Sequence, residues 1–112
     1  MKKECDPVFA SVDKVLEIIS KSKSLHILYI LNFKNKALRF SELKTKVDSS
    51  STTISRRLNE LEKCGLVIRT PCEDSNNRME YSLSKDAKSL SPIIQSLYDW
   101  VSKSQMHVQT IA

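Results

Sequence analysis

Between residues 8 and 19, Val8, Val12, Val15, Leu16 and Ile19 recur at helical intervals. This predicts an amphipathic helix with Pro7 in its first turn, where a missing amide costs no hydrogen bond. The polar run Ser20-Lys21-Ser22-Lys23-Ser24 ends it. From Leu25 to Phe33 the chain is apolar around most of a helical circumference, through Leu25, Ile27, Leu28, Tyr29, Ile30 and Leu31. Such a pattern predicts a helix at the centre of a small bundle. After a polar turn at 32–36, Ala37-Leu38-Arg39-Phe40 predicts a short strand, and Ser41 a cap for a two-turn helix carrying Leu43 and Val47.

Asp48-Ser49-Ser50-Ser51-Thr52-Thr53 is rich in side chains that accept hydrogen bonds from the free amides opening a helix. A helix therefore starts there and runs to Cys64, with Ile54, Leu58 and Leu61 on one face and Gly65 placed to close it. Leu66 to Thr70 is β-rich, residues 71–77 read as a polar loop, and Arg78 to Leu83 alternates as a strand. Ser84 opens a last helix carrying Leu90, Ile93, Ile94, Leu97, Trp100 and Val101. That apolar stripe, with Val8, Val12 and Leu16 of the first helix, is wider than one small core covers, so both terminal helices are expected to pack on a second copy of the chain.

Helix, short turn, helix, then a hairpin is the order of an α+β winged helix-turn-helix, in which the second of the paired helices lies in the DNA major groove. In this reading residues 1–112 form one winged-helix domain, with N-terminal helices over 8–33, the helix-turn-helix over 41–65, the wing over 66–84 and a C-terminal helix over 85–104. The length of 112 residues agrees with a single domain. With Ile54, Leu58 and Leu61 turned to the core, Ser51, Thr52, Thr53, Ser55, Arg56, Arg57 and Asn59 fall on the outer flanks of the helix. Hydroxyls can bond bases or phosphates, arginine can engage guanine with two hydrogen bonds, and asparagine can do the same with adenine. The stretch 51–57 holds no acidic residue, whereas Glu60 and Glu62 wait until later turns. That polarity favours an N-terminal half that approaches phosphate. Arg69 and Arg78, at the shoulders of the wing loop, are placed to meet the backbone or minor groove, with Glu73 and Asp74 assigned to solvent.

Charge adds little by itself. Eighteen Lys and Arg against thirteen Asp and Glu leave +5, which permits a polyanionic partner without demanding one. Three cysteines, Cys5, Cys64 and Cys72, form no Cys-x-x-Cys pair, so neither a zinc ribbon nor a secreted disulfide framework is expected. His26 and His107 are isolated, and a single glycine, Gly65, excludes a glycine-rich phosphate loop. We therefore expect no enzyme, no metal, no cofactor and no membrane span, in a cytoplasmic protein with double-stranded DNA as partner. The competing reading is a winged-helix module that binds protein in a transcription or replication assembly.

Several phrases also resemble the HxlR-type regulators, relatives of MarR: Leu38-Arg39-Phe40-Ser41-Glu42-Leu43, Leu58 through Arg69, Glu80-Tyr81-Ser82-Leu83-Ser84 and Leu90-Ser91-Pro92-Ile93-Ile94 with Trp100. The resemblance covers about residues 37–101. It implies a homodimeric, DNA-binding transcription factor with a winged helix-turn-helix and no cofactor of its own. Where that family usually has Gly-Lys-Trp before its second helix, this chain reads Ser20 to Ser24, and Ala87 stands where a glycine follows the wing. Cys5-Asp6-Pro7 resembles the cysteine that often precedes the first helix in the family, where some members sense oxidants or electrophiles. The resemblance thus makes Cys5 a candidate for redox sensing; Lys2 and Lys3 favour a thiolate there, and Glu4 and Asp6 offset them.

Overall fold

The computed structural model describes residues 7–73 and 78–104. The order of elements is α1 (Pro7–Ile19), α2 (Ser24–Lys34), β1 (Leu38–Arg39), α3 (Phe40–Val47), α4 (Ser51–Lys63), β2 (Val67–Pro71), β3 (Met79–Leu83) and α5 (Lys85–Lys103). The three strands form an antiparallel sheet in the order β1-β3-β2. Leu38 pairs with Tyr81 across β1 and β3, and Arg69 pairs with the same tyrosine across β2 and β3. Helices on one side of a small antiparallel sheet make an α+β winged helix, as the order of elements predicts.

The core is built where the periodicity places it. Ile27, Leu28 and Leu31 of α2 are buried at the centre, packed with Leu43 and Val47 of α3, Ile54, Leu58 and Leu61 of α4, and Leu38, Val67 and Leu83 of the sheet. Because α2 is surrounded by α3, α4, α5 and β3, its apolar circumference is satisfied on nearly every side. At the start of α4 the Ser50 hydroxyl accepts from the Thr53 amide at 3.1 Å, and Ser84 caps α5 in the same way through Ala87 at 3.1 Å. Gly65 ends the α4 turn at φ 80°, a left-handed conformation that glycine adopts without steric cost.

One feature departs from the sequence expectation. Ser41 is not a cap: α3 starts one residue earlier, at Phe40, with Arg39 extended, and the Arg39 amide donates to the Glu42 carboxylate at 2.8 Å. A carboxylate three residues into the helix takes over the role expected of the serine, and so shortens β1 to two residues. The apolar stripe of α1 is left uncovered, as its width along the sequence suggested, and the helix has no buried residue. Phe9 is 69% exposed, Leu16 52% and, on α5, Trp100 54%. Between α1 and α5 runs an open apolar groove of about 600 Å³ lined by residues that include Val12, Val15, Leu16, Ile19, Leu90 and Ile93. No helix among the described residues is long and apolar enough to cross a membrane.

Candidate nucleic-acid interface

Helix α4 projects its polar side over the sheet because Ile54, Leu58 and Leu61 hold the opposite side in the core. Between α4 and the wing opens a cleft of about 810 Å³ whose lining includes Ser51, Thr52, Ser55, Arg56 and Asn59 from the helix and Arg69 from β2. Six of the residues expected at the site therefore converge on one concave surface. Arg69 is aimed into it because the strand alternates: Val67, two residues earlier on the same face, is buried against the core, and Arg69 continues that face past the core's edge.

Three expected residues lie elsewhere. Thr53 is half-buried, and its hydroxyl accepts from the Ser50 hydroxyl at 3.0 Å, which commits it to the helix start. Arg57 is turned away from the cleft. Its guanidinium donates to the Glu60 carboxylate at 2.7 Å with only 12% of the side chain exposed, and Lys21, from the turn between α1 and α2, lies 3.6 Å from the same carboxylate. One residue after Arg56, a further 100° of helical rotation carries Arg57 toward α2, where burial makes an ion pair the favoured arrangement. Arg78 is exposed and lines an adjoining cleft rather than the one under α4.

The cleft also contains residues that sequence reasoning missed. Phe40 and Tyr81 form part of its wall, and Glu62 brings a carboxylate among the arginines. Tyr81 sits between Leu38 and Arg69 in register, a placement that only strand pairing creates. Helical spacing does carry a signal for Glu62, since it is three residues beyond Asn59 on the same side of α4. Arg56, Arg69 and Glu62 form no ion pair with one another, so the two guanidinium groups are available to an outside acceptor.

Among the described residues no group of three or more His, Cys, Asp or Glu side chains could hold a metal ion. Cys72 is buried, and the Cys64 thiol has its pKa pushed up, chiefly by burial, against a backbone hydrogen bond that lowers it and with the nearby Glu60 charge adding to the rise. Cys5 and Asp74 lie outside the described residues, and Glu73 is exposed.

Comparison with known proteins places these features among transcriptional regulators. Residues 18–109 match the model of the HxlR-like helix-turn-helix family. A relative from Halalkalibacterium halodurans, the uncharacterized HTH-type transcriptional regulator BH0655, is 35% identical over 91 residues, covering 80% of each chain. In fold, the chain is similar to a structure from Porphyromonas gingivalis W83 assigned to the MarR family of transcriptional regulators, with a TM-score of 0.76, 24% identity, and coverage of 92% of this chain and 99% of that one. It is similar also to MepR of S. aureus, solved as a complex with DNA, with a TM-score of 0.66, 19% identity, and coverage of 86% and 79%.

Proposed function

The chain belongs to the HxlR-like helix-turn-helix family of transcriptional regulators, and from that premise we propose that it binds double-stranded DNA sequence-specifically as a homodimer, with α4 in the major groove. The carrying observation is the cleft in which Ser51, Thr52, Ser55, Arg56 and Asn59 face Arg69. Arg56 is positioned to read guanine and Asn59 adenine, because each offers the paired hydrogen bonds those bases accept in the major groove. The hydroxyls of Ser51, Thr52 and Ser55, on the first turns of α4, serve as contacts to phosphate or base edges, and Thr53 holds the helix start. Arg69 and Arg78 approach the backbone or the minor groove from the wing. Arg57 takes no part, being tied to Glu60.

The homodimer uses α1 and α5. Their apolar side chains, Leu16 and Trp100 among them, stand in solvent on the isolated chain, a state that self-association relieves. A two-fold dimer presents two α4 helices and therefore calls for an operator with two-fold symmetry. Selection of bound sequences from random duplex DNA tests both parts. The expected outcome is an inverted repeat bound with steep salt dependence, since each phosphate neutralised releases counterions. Recovery of no preferred sequence, with protein partners captured through the α4 face instead, would favour the protein-binding alternative.

A further inference from the structure

Where the end of α2 meets β3 and the start of α5, a cavity of about 180 Å³ opens, lined by the polar side chains of Asn32, Asn35, Lys36, Ser82 and Lys88 together with the buried Leu31 and Leu83. We propose that this cavity binds a small dianion bearing carboxylate or phosphate oxygens, held between the Lys36 and Lys88 ammonium groups. It shares no lining residue with the cleft under α4, so the inference stands apart from the DNA-binding reading.

Three segments distant in the chain build the cavity, and backbone hydrogen bonds hold each of them. Helix α2 stops at Asn35, which is left-handed at φ 53° and whose amide donates to the Leu31 carbonyl at 3.0 Å. Asparagine enters that region more readily than most residues, and the turn it makes sets Lys36 just before the edge strand β1. The pairing of Leu38 with Tyr81 brings the start of β1 beside Ser82. On the third side, the Ser84 cap fixes the first turn of α5, from which Lys88 projects into solvent. A frame fixed in this way leaves mainly the two lysine stems to be ordered when a ligand binds.

The chemistry of the lining selects the ligand. It holds two lysines and no carboxylate, and neither Lys36 nor Lys88 forms an ion pair among the described residues. The nearest carboxylates in sequence stand aside: Asp86 is two residues before Lys88, about 200° around α5, and Glu80 is opposite Arg39 on β1. The C-terminal end of α2 disfavours an anion and the N-terminal end of α5 favours one, so these dipoles offset each other and leave the lysines to decide. Two ammonium groups reaching in from separate segments match two negative charges, whereas a ligand carrying an amino group finds no counter-charge. The amides of Asn32 and Asn35 and the hydroxyl of Ser82, none of them hydrogen-bonded within the chain among the described residues, are donors for the remaining oxygens. Leu31 and Leu83 suit a short carbon backbone. A cavity of about 150 Å³ holds benzene, so this one takes a ligand of a few carbons and two charged ends.

The test is an NMR titration of the full, isotopically labelled chain, without DNA, against succinate, inorganic phosphate, acetate and chloride at one ionic strength. Succinate is expected to shift the side-chain amide signals of Asn32 and Asn35 saturably, with a dissociation constant on the order of 1 mM, and acetate to bind several-fold more weakly. Lys36→Gln and Lys88→Gln should each weaken succinate roughly fivefold. Both lysines are exposed and unpaired, so the urea midpoint should stay at the wild-type value; if it moves, Lys36→Arg and Lys88→Arg, which keep the charge, should retain binding. Saturation by phosphate in place of succinate assigns the same dianion site to a phosphate ligand. No saturable shift with either dianion, equal affinity for succinate and acetate, or shifts at Asn32 and Asn35 that survive the double substitution of Lys36 and Lys88 by glutamine overturns the site.

Discussion

The Arg57 guanidinium lies 2.7 Å from the Glu60 carboxylate one turn along α4, and the same carboxylate is 3.6 Å from Lys21 in the turn between α1 and α2. Glu60 thus joins the helix that faces the cleft to the end of the helix that carries the exposed apolar surface. Arg57 and Arg56 are adjacent in sequence, and this contact separates their roles.

Arg57→Ala should therefore act on stability. It leaves Glu60, which is 27% exposed, without its nearer cation, at a cost of about 1–2 kcal/mol. The value stays at the low end because Arg57 Nε is itself buried with no hydrogen-bond partner, so part of that cost is already present in the wild type. Urea denaturation measures the change, and Glu60→Ala combined with Arg57→Ala should cost less than the sum of the single variants. A loss of base discrimination with unchanged stability would contradict this assignment.

Arg56→Ala should do the reverse, with stability unchanged and specific binding reduced by about 1–3 kcal/mol more than non-specific binding. Arg69→Ala, on the wing, should weaken both alike. Affinities on the selected duplex and on a scrambled one at matched salt distinguish the two; equal losses for Arg56→Ala would remove its reading role.

At the apolar surface, Leu16→Asp should convert a dimer into a folded monomer with little effect on the core, because Leu16 is 52% exposed within a single chain. Sedimentation at micromolar concentration reports the change in mass, and affinity for the symmetric site should fall with it. A wild type that sediments as a monomer under these conditions sinks the dimer and the two-half-site operator together.

Tyr98 gives the fold a dependence on alkaline pH. Burial first, and the neighbouring Tyr29 charge second, push its phenol up to about 12 from 10.0, while its ring stacks on Tyr29 at 4.0 Å and its hydroxyl is hydrogen-bonded to His26 Nδ1. Folding therefore favours the neutral phenol. The resulting stability is fully present below pH 10 and is lost as pH rises toward 12. The urea midpoint of the wild type should fall across that interval, and Tyr98→Phe, which has no proton to lose there, should fall less. Tyrosinate absorbance should show one of the three tyrosines titrating late.

Much of the architecture was legible in the chain. The 3.6-residue repeat of Ile54, Leu58 and Leu61 marked the buried side of α4, the hydroxyl-rich run before it marked the start, and Gly65 marked the end. These are local signals: periodicity tells which side of a helix meets the core, and caps satisfy amides within a few residues. The same periodicity put Ser51, Thr52, Ser55, Arg56 and Asn59 on the open side, where the structure brings them together with Arg69.

What the sequence by itself determined, then, was the type and order of the elements and the buried stripe of each, because backbone hydrogen bonding and hydrophobic burial are written in residues three or four apart. Only the tertiary structure decided that Arg57 faces Glu60 and Lys21 while Arg56 faces the cleft, since the flank of a helix acquires a meaning only from what packs beside it. It also decided that Arg39 and Arg78, distant in the chain, share one surface, and that Tyr81 stands between Leu38 and Arg69. These meetings depend on the pairing of β1, β2 and β3 across long sequence separations, and strand register is set by the packing of the whole sheet against the helices.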